Sequence, residues 1–316
     1  MVQCDPAPQR ILVTGASGFV GAPLCREIES LGHCVVRGVR AQSLGELQYA
    51  VGDINNRTVW APALEGCASV VHLAARVHVM RDRSVDPLAA FRAVNVDGTL
   101  SLAKAAVDAG VRRFIYLSSV KIHGEETQRG SPFRHDDPAN PLEPYSISKW
   151  EAECGLAEIA ARTGLEVVVL RPPLIYGPRV RGNFRSLVRL VSSGVPIPLG
   201  GVTENRRSLL ALDNLIDLII LCLQHPAAAN STFLVSDGHA MSTAELISRL
   251  AAALSLSARL LVVPVPVLAG VAKLIGLDRM AARLLCNLEV DVDYTQRTLD
   301  WVPPVSVDDA LRQLVI

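Results

Sequence analysis

Tyr145 and Lys149 stand four residues apart in Tyr-Ser-Ile-Ser-Lys, at the start of a stretch whose pattern predicts a helix over 145–163. At that spacing both side chains share one helix face, so the ammonium can lower the phenol pKa from about 10 toward neutrality. A phenol so placed can trade a proton with a carbinol or carbonyl oxygen. Ser119, at the end of the apolar run 113–118, supplies an oxygen ligand for a substrate hydroxyl. Ser118 is the adjacent alternative and would face the other way if the strand continues.

A second constellation binds rather than reacts. Thr14-Gly15-Ala16-Ser17-Gly18-Phe19-Val20-Gly21 follows the short apolar run 10–14 and opens a helix predicted over 20–31. Gly15 permits a tight turn, Gly18 a close approach of backbone to a pyrophosphate, and Gly21 close packing of helix on strand. Ser17, Phe19 and Val20 complete a loop whose helix N-terminus faces the anion. Asp53, with Ile54, is expected by the adenine, and Leu73, Ala74 and Ala75, which follow His72, beside the dinucleotide. Lys149 then also reaches the nicotinamide ribose. The second strand ends Arg37-Gly38-Val39-Arg40, without the acid that would accept hydrogen bonds from the adenosine ribose. Arg40, with Arg37 as the lesser candidate, instead suits a 2′-phosphate, so NADPH is favoured over NADH. The alternative is that both arginines are plain surface residues.

Positioning these groups takes a repeated strand and helix. Apolar runs at 10–14, 34–39, 69–73, 113–118 and 166–170 are too short and too uniformly apolar for one-sided strands, and helical patterns at 20–31, 87–109 and 145–163 separate them. This predicts an α/β fold, a Rossmann-type doubly wound parallel sheet with a smaller C-terminal substrate-binding domain. Prolines and glycines crowd the chain after Arg171, so the first domain is placed at 1–171 plus about 209–236, and the second at about 172–208 plus 237–316.

Lys and Arg total 31, as do Asp and Glu, so nothing in the net charge argues for nucleic acid or an anionic membrane as partner. A small molecule is expected. Seven cysteines, Cys4 to Cys286, lie scattered without metal-ligand spacing; buried thiols in a reducing cytoplasm are expected, with no metal site. Residues 1–10 show no apolar leader. The most apolar late stretch, 260–277, is interrupted by Pro264, Pro266 and Lys273, is too short for a convincing span, and reads as a buried strand or loop followed by helix. No membrane insertion is expected. The mean hydropathy of +0.30 is high, and a buried dimer interface would absorb part of it.

Taken as a set, Thr14 to Gly21, His72-Leu73-Ala74-Ala75, Asn95-Val96-Asp97-Gly98-Thr99, Ser118-Ser119, Tyr145 to Lys149 and Arg171-Pro172 resemble, in order and spacing, the extended short-chain dehydrogenases of the NAD-dependent epimerase/dehydratase family. The resemblance covers nearly the whole chain. It implies a Ser119, Tyr145, Lys149 site beside the nicotinamide, Pro172 at the cofactor, a UDP-linked sugar as substrate, and a homodimer packed through helices. Within the family the chain resembles the UDP-glucose 4-epimerase group, in particular the bacterial subgroup that includes reductases of UDP-4-keto-6-deoxy-N-acetylhexosamines. Carried over, Asn183 and Phe184 would lie near the uridine diphosphate and Arg207 would hold its phosphates.

Dehydratases of the family carry an acid pair after the active-site Ser or Thr, whereas this chain reads Ser119-Val120-Lys121. Two reactions at sugar carbon 4 remain. The missing ribose acid and the subgroup resemblance favour a 4-ketoreductase acting in surface-polysaccharide synthesis, with a 4-epimerase as the alternative. A catalytically silent dinucleotide-binding subunit ranks third, because the Ser, Tyr and Lys are all present.

Overall fold

The computed structural model describes residues 8–41, 47–77 and 85–315. Cys4 and most of the residues read as lacking a leader lie outside that range. In chain order the strands are β1 Arg10–Thr14, β2 Cys34–Val39, β3 Gln48–Ala50, β4 Ser69–His72, β5 Arg113–Leu117, β6 Glu166–Arg171, β7 Leu174–Tyr176, β8 Leu209–Ala211 and β9 Ser231–Leu234. The helices are α1 Gly21–Ser30, α2 Ala61–Leu64, α3 Pro87–Arg92, α4 Thr99–Asp108, α5 Pro144–Arg162, α6 Gly182–Ser192, α7 Leu212–Gln224, α8 Thr243–Ala253, α9 Val265–Leu274, α10 Asp278–Leu285, α11 Asp293–Leu299 and α12 Val307–Arg312. The chain divides into two compact units. Unit 1 comprises Met1–Ile122, Ala139–Arg171 and Ile216–Phe233; unit 2 comprises His123–Pro138, Pro172–Leu215 and Leu234–Ile316.

Unit 1 is built on a seven-stranded sheet in the order β3-β2-β1-β4-β5-β6-β9. Each successive pair from β3 through β6 is parallel. The reversal beside β1, where the chain goes from β3 back across to β4, is the crevice that doubly wound sheets use for ligands. The middles of the strands are apolar and covered: Leu12, Val36, Val70 and Phe114 are fully buried in one core with Leu102, Ala106, Ala152 and Leu156 from α4 and α5. Each such side chain contributes about 1.5–3 kcal/mol. A buried arginine closes the far end. Arg113 pairs with Glu166 at 2.6 Å and donates to the carbonyls of Cys222 and His225, satisfying acceptors at the end of α7 that have no helical partner.

The helix predicted over 87–109 is interrupted by a π-helical turn at Ala93–Gly98. Its cause is local. Asn95 is buried and turns inward, accepting from the Arg76 amide at 2.8 Å and donating to the Arg76 carbonyl and to Ser148 Oγ. At Gly98 a Cβ would come within 2.4 Å of Ile54 Cγ2, so a glycine is needed for that approach.

Unit 2 holds the two-stranded parallel sheet β7-β8 and a core of Tyr176, Phe184, Leu209, Ile247, Leu250 and Leu311. Its boundaries differ from the expected ones at 209–215 and at 123–138. The latter segment pairs backbone to backbone with 287–291, through Thr127 with Asn287 and Phe133 with Glu289 and Asp291. The stretch 260–277 also departs from expectation. It forms an extended lead and then α9, none of whose residues is buried. No helix among the described residues is long and apolar enough to cross a membrane.

Candidate active site

Within unit 1 the chain turns sharply after β1. Gly15 takes φ +68°, a conformation that favours glycine, and its carbonyl accepts the Gly18 amide at 2.8 Å. A Cβ on Gly18 would lie 2.9 Å from that carbonyl, and one on Gly21 only 2.2 Å away. Ser17 and Gly18 are exposed, Phe19 half-buried, and Val20 is buried as the residue preceding α1. Val20 therefore offers a ligand its backbone alone. This glycine-rich turn at a helix N-terminus fits a dinucleotide pyrophosphate.

Thr14 and His72 brace the loop. His72 Nδ1 lies 2.7 Å from Thr14 Oγ1 and Nε2 lies 2.9 Å from Thr99 Oγ1, while Thr14 Oγ1 accepts the Ala74 amide. Burial, with the nearby charge of Lys149, pushes the His72 imidazole down to about 3, so it is neutral at ordinary pH. Leu73, Ala74 and Ala75 are half-buried beside Gly15, whose Cβ position is 3.0 Å from the Ala74 nitrogen.

The two arginines of β2 part company. Arg37 is bound to Glu29, with contacts of 2.7 Å on both nitrogens, and is thereby removed as a phosphate ligand. Arg40 lies with Nε 3.3 Å from Asp53, both side chains more than four-fifths exposed. An exposed pair of that kind is worth little, so Arg40 is free to exchange Asp53 for a ligand anion. Arg40→Ala is expected to weaken NADPH more than NADH in a binding titration. Equal losses would show that no 2′-phosphate contact exists.

Ser118 and Ser119 are distinguished by their partners. Ser118 is buried, and its hydroxyl donates to Glu153, which is itself locked to Arg171 by a 2.6 Å contact in the interior. Ser119 is half-buried, and its Oγ accepts the Lys121 amide at 3.3 Å. Of the two, Ser119 is the more accessible. Lys121 forms an ion pair of 3.1 Å with Glu143, and Glu143 caps α5 reciprocally with Ser146. The turn carrying Ser119 is thus tethered to the helix that carries Tyr145 and Lys149.

On α5, Tyr145 is half-buried with Phe91 edge-on to its ring at 6.1 Å. Ser148 Oγ donates to the Tyr145 carbonyl at 2.7 Å and accepts from Asn95, which joins the helix to the backbone after Ala75. Lys149 is buried, its Nζ 4.1 Å from the Tyr116 ring centroid. Burial pushes the lysine down to about 7, against the raising field of Glu153. Burial also drives the Tyr145 phenol up to about 12. The expected lowering of the phenol by the ammonium is therefore absent in this structure. The reason is geometric as well as dielectric, since the ammonium faces the Tyr116 ring and carries only part of its charge near neutrality.

Unit 2 carries the residues expected at the nucleotide. Asn183 is exposed at the start of α6, whereas Phe184 is buried and stacked on Tyr176 with centroids 5.4 Å apart. The Phe184 ring is thus core, and a ligand can meet only its backbone. Pro172 is buried at the start of this unit's second segment. Arg207 is half-buried, pairs through its backbone with Met241 and donates from Nη1 to the Cys286 carbonyl at 2.9 Å. Its pKa is lowered by burial and by the positive field of Arg283. Arg283 is exposed on α10. Arg206 folds back onto the Thr203 and Asn205 carbonyls instead.

The chain as a whole has relatives among known proteins. Residues 11–236 match the profile of the NAD dependent epimerase/dehydratase family. A UDP-glucose 4-epimerase of Vibrio cholerae is 44% identical over 309 residues, covering 97% of this chain and 94% of that protein. An N-acetyl-alpha-D-glucosaminyl-diphospho-ditrans,octacis-undecaprenol 4-epimerase of Escherichia coli O157:H7 is 29% identical, covering 75% of this chain and 70% of that one. The solved structure of MoeE5 in complex with UDP-glucuronic acid and NAD superposes with a TM-score of 0.74 at 25% identity, over 97% of each chain. With most of its length under the family profile and a relative aligned almost end to end, this chain belongs to the NAD-dependent epimerase/dehydratase family, enzymes of the short-chain dehydrogenase type.

Proposed function

We propose that this enzyme acts at carbon 4 of a UDP-linked hexose or N-acetylhexosamine and interconverts its 4-epimers. The observation that carries the reading is the 44% identity, across nearly the whole of both chains, to a UDP-glucose 4-epimerase. The Val120 and Lys121 that follow Ser119 support it by leaving no acid pair for dehydration: Val120 is buried and Lys121 is bound to Glu143.

A nicotinamide bound on the glycine turn supplies the acceptor and donor of hydride. The protein's own residues do the rest. Ser119 Oγ holds the sugar oxygen, and Tyr145 Oη exchanges the proton with it. Lys149, whose ammonium lies over the Tyr116 ring, hydrogen-bonds the ribose of the cofactor. Arg207 binds the diphosphate with a fixed fork of donors. The reading carries with it a homodimer and a cytoplasmic place of work, supported by the family resemblance and by the six free thiols among the described residues.

A second reading, the 4-ketoreductase favoured from the sequence, keeps one specific observation: β2 ends at the exposed Arg40, with no acid of its own for an adenosine ribose. That arrangement suits an exchangeable NADPH. Hydride flow separates the two reactions. In a mixture of UDP-hexose or UDP-N-acetylhexosamine with no added cofactor, 4-epimer is expected to form. With a UDP-4-keto-6-deoxy-hexosamine and deuterated cofactor, no stoichiometric transfer to carbon 4 is expected. Deuterium at carbon 4, one per cofactor consumed, together with no epimer in the first mixture, would replace epimerase by reductase.

A further inference from the structure

Thirteen consecutive residues, from Leu260 to Ala272, carry no charge, and a basic residue stands at each end, Arg259 and Lys273. In a fold whose other long helices bury a face, this composition would belong to the core. It does not lie there. None of the residues of α9 is buried, whereas α8 just before it buries Ala244, Ile247, Leu250 and Ala251. Val262 is 80% exposed, Leu274 87% and Ile275 62%, and Val267, Val271 and Met280 each expose about half their surface. Apolar side chains scattered singly over a surface mean nothing, but these fall within one hairpin and form a patch.

The hairpin is well built. α9 ends in Gly276 at φ +68°, with the Leu277 amide bonded to the Ala272 carbonyl at 2.8 Å and the Gly276 amide to Lys273, so the chain reverses into α10. Both feet are anchored in unit 2. Leu261 exchanges backbone bonds with Ile197 and Gly200, and the Leu284 carbonyl accepts from Thr243 Oγ1 at 2.6 Å. The apolar exposure is therefore a property of a fixed element.

We propose that this α9–α10 hairpin is an interfacial membrane anchor, lying in the headgroup region of an anionic lipid surface with its apolar side chains directed into the acyl boundary. Charge selects this occupant. Arg259, Lys273 and Arg283 are exposed around the patch, and Asp278 is the only acid between 254 and 286. The chain's zero net charge conceals this local excess. A second copy of the same patch would bring the same basic excess to the contact, whereas phosphates of lipid headgroups neutralise it while the long stems of Lys and Arg reach outward. Helices of ten and eight residues are far short of the roughly 20 needed to span a bilayer, so the hairpin lies on the membrane and does not cross it. The inference is independent of which reaction unit 1 catalyses.

The test is flotation of the full-length protein with vesicles of phosphatidylcholine alone or mixed with phosphatidylglycerol. Binding to the mixed vesicles, weakened by salt and weak or absent on the neutral ones, is expected. Leu274→Glu with Ile275→Glu should abolish it, and Arg259→Glu with Lys273→Glu should lower the partition coefficient roughly tenfold or more. All four positions are exposed, and thermal unfolding checks that the variants fold. Leu274→Trp adds a reading on otherwise unaltered protein: its emission should shift to the blue on the mixed vesicles and be quenched by lipid brominated near the headgroup. Wild-type protein that ignores both vesicles, or a dimer that the Leu274→Glu, Ile275→Glu variant dissociates while vesicles have no effect, would overturn the proposal.

Discussion

Tyr145→Phe is expected to lower turnover by about 10²-fold or more while leaving dinucleotide and sugar binding nearly unchanged, because it removes one proton donor and no bulk. The structure sharpens the expectation. Burial holds the phenol up to about 12, so near neutral pH it carries the proton that the reducing half of the reaction gives to the sugar oxygen, and it must lose that proton before the oxidising half. Its carbonyl is fixed by Ser148 and its ring by Phe91, which leaves the oxygen as the one thing the substitution removes. Steady-state kinetics beside a binding titration checks this, and wild-type turnover would exclude Tyr145 from the role. Lys149→Met should lower turnover and also weaken the dinucleotide. Burial depresses the lysine to about 7, so its ammonium is present below that pH and lost as pH rises through it. Dinucleotide affinity should accordingly fall above about pH 7 in the wild type, with proton uptake on binding, and the slope should disappear in Lys149→Met. Calorimetry in buffers of differing ionisation enthalpy reads both.

Gly18→Val is expected to abolish dinucleotide binding in a protein that still folds. The added Cβ meets the Gly15 carbonyl at 2.9 Å, a contact that a small shift of the turn relieves, but the branched side chain then stands where the pyrophosphate must approach. Gly21→Val marks the contrast. Its Cβ would lie 2.2 Å from the same carbonyl and 2.9 Å from the Ala16 Cα, in the packed contact of α1 with β1, and should destabilise unit 1 by roughly 3 kcal/mol or more. Thermal unfolding and fluorescence titration of the two variants separate the effects. Unchanged affinity in Gly18→Val would mean that the phosphate loop lies elsewhere.

The strands of unit 1 were legible because a strand covered on both faces must be uniformly apolar, and β1 and β2 fall on the residues that pattern marks. The glycine turn and the Tyr145, Lys149 pair were legible as candidates because each is a spacing along one element. What periodicity could not show was contact between distant polar groups. Asn95 sits in an apparently continuous helix, and only its bonds to Arg76 and Ser148 explain the π-turn. That Ser118 is occupied by Glu153, 35 residues further on, was equally invisible in the sequence. Segment 123–138 joins unit 2 through backbone pairing with 287–291, which leaves no apolar signature. The stretch 260–277 misled in the opposite sense, since apolar composition reports what water disfavours and says nothing of what covers it.

The order of synthesis gives the sheet an interval of exposure. β6 is complete when residue 171 is made, but β9, its neighbour at the edge, is not made until 231–234, and residues 172–215 between them belong to unit 2. At ribosomal rates of about 5–20 residues per second, the edge of β6 waits on the order of 3–12 s with its hydrogen-bonding groups unpaired. Arg113 waits as long for the carbonyls of Cys222 and His225. A nascent chain stalled in that interval presents an open strand edge and an arginine held by Glu166 alone, which makes it a template for edge-to-edge association and a client for chaperones.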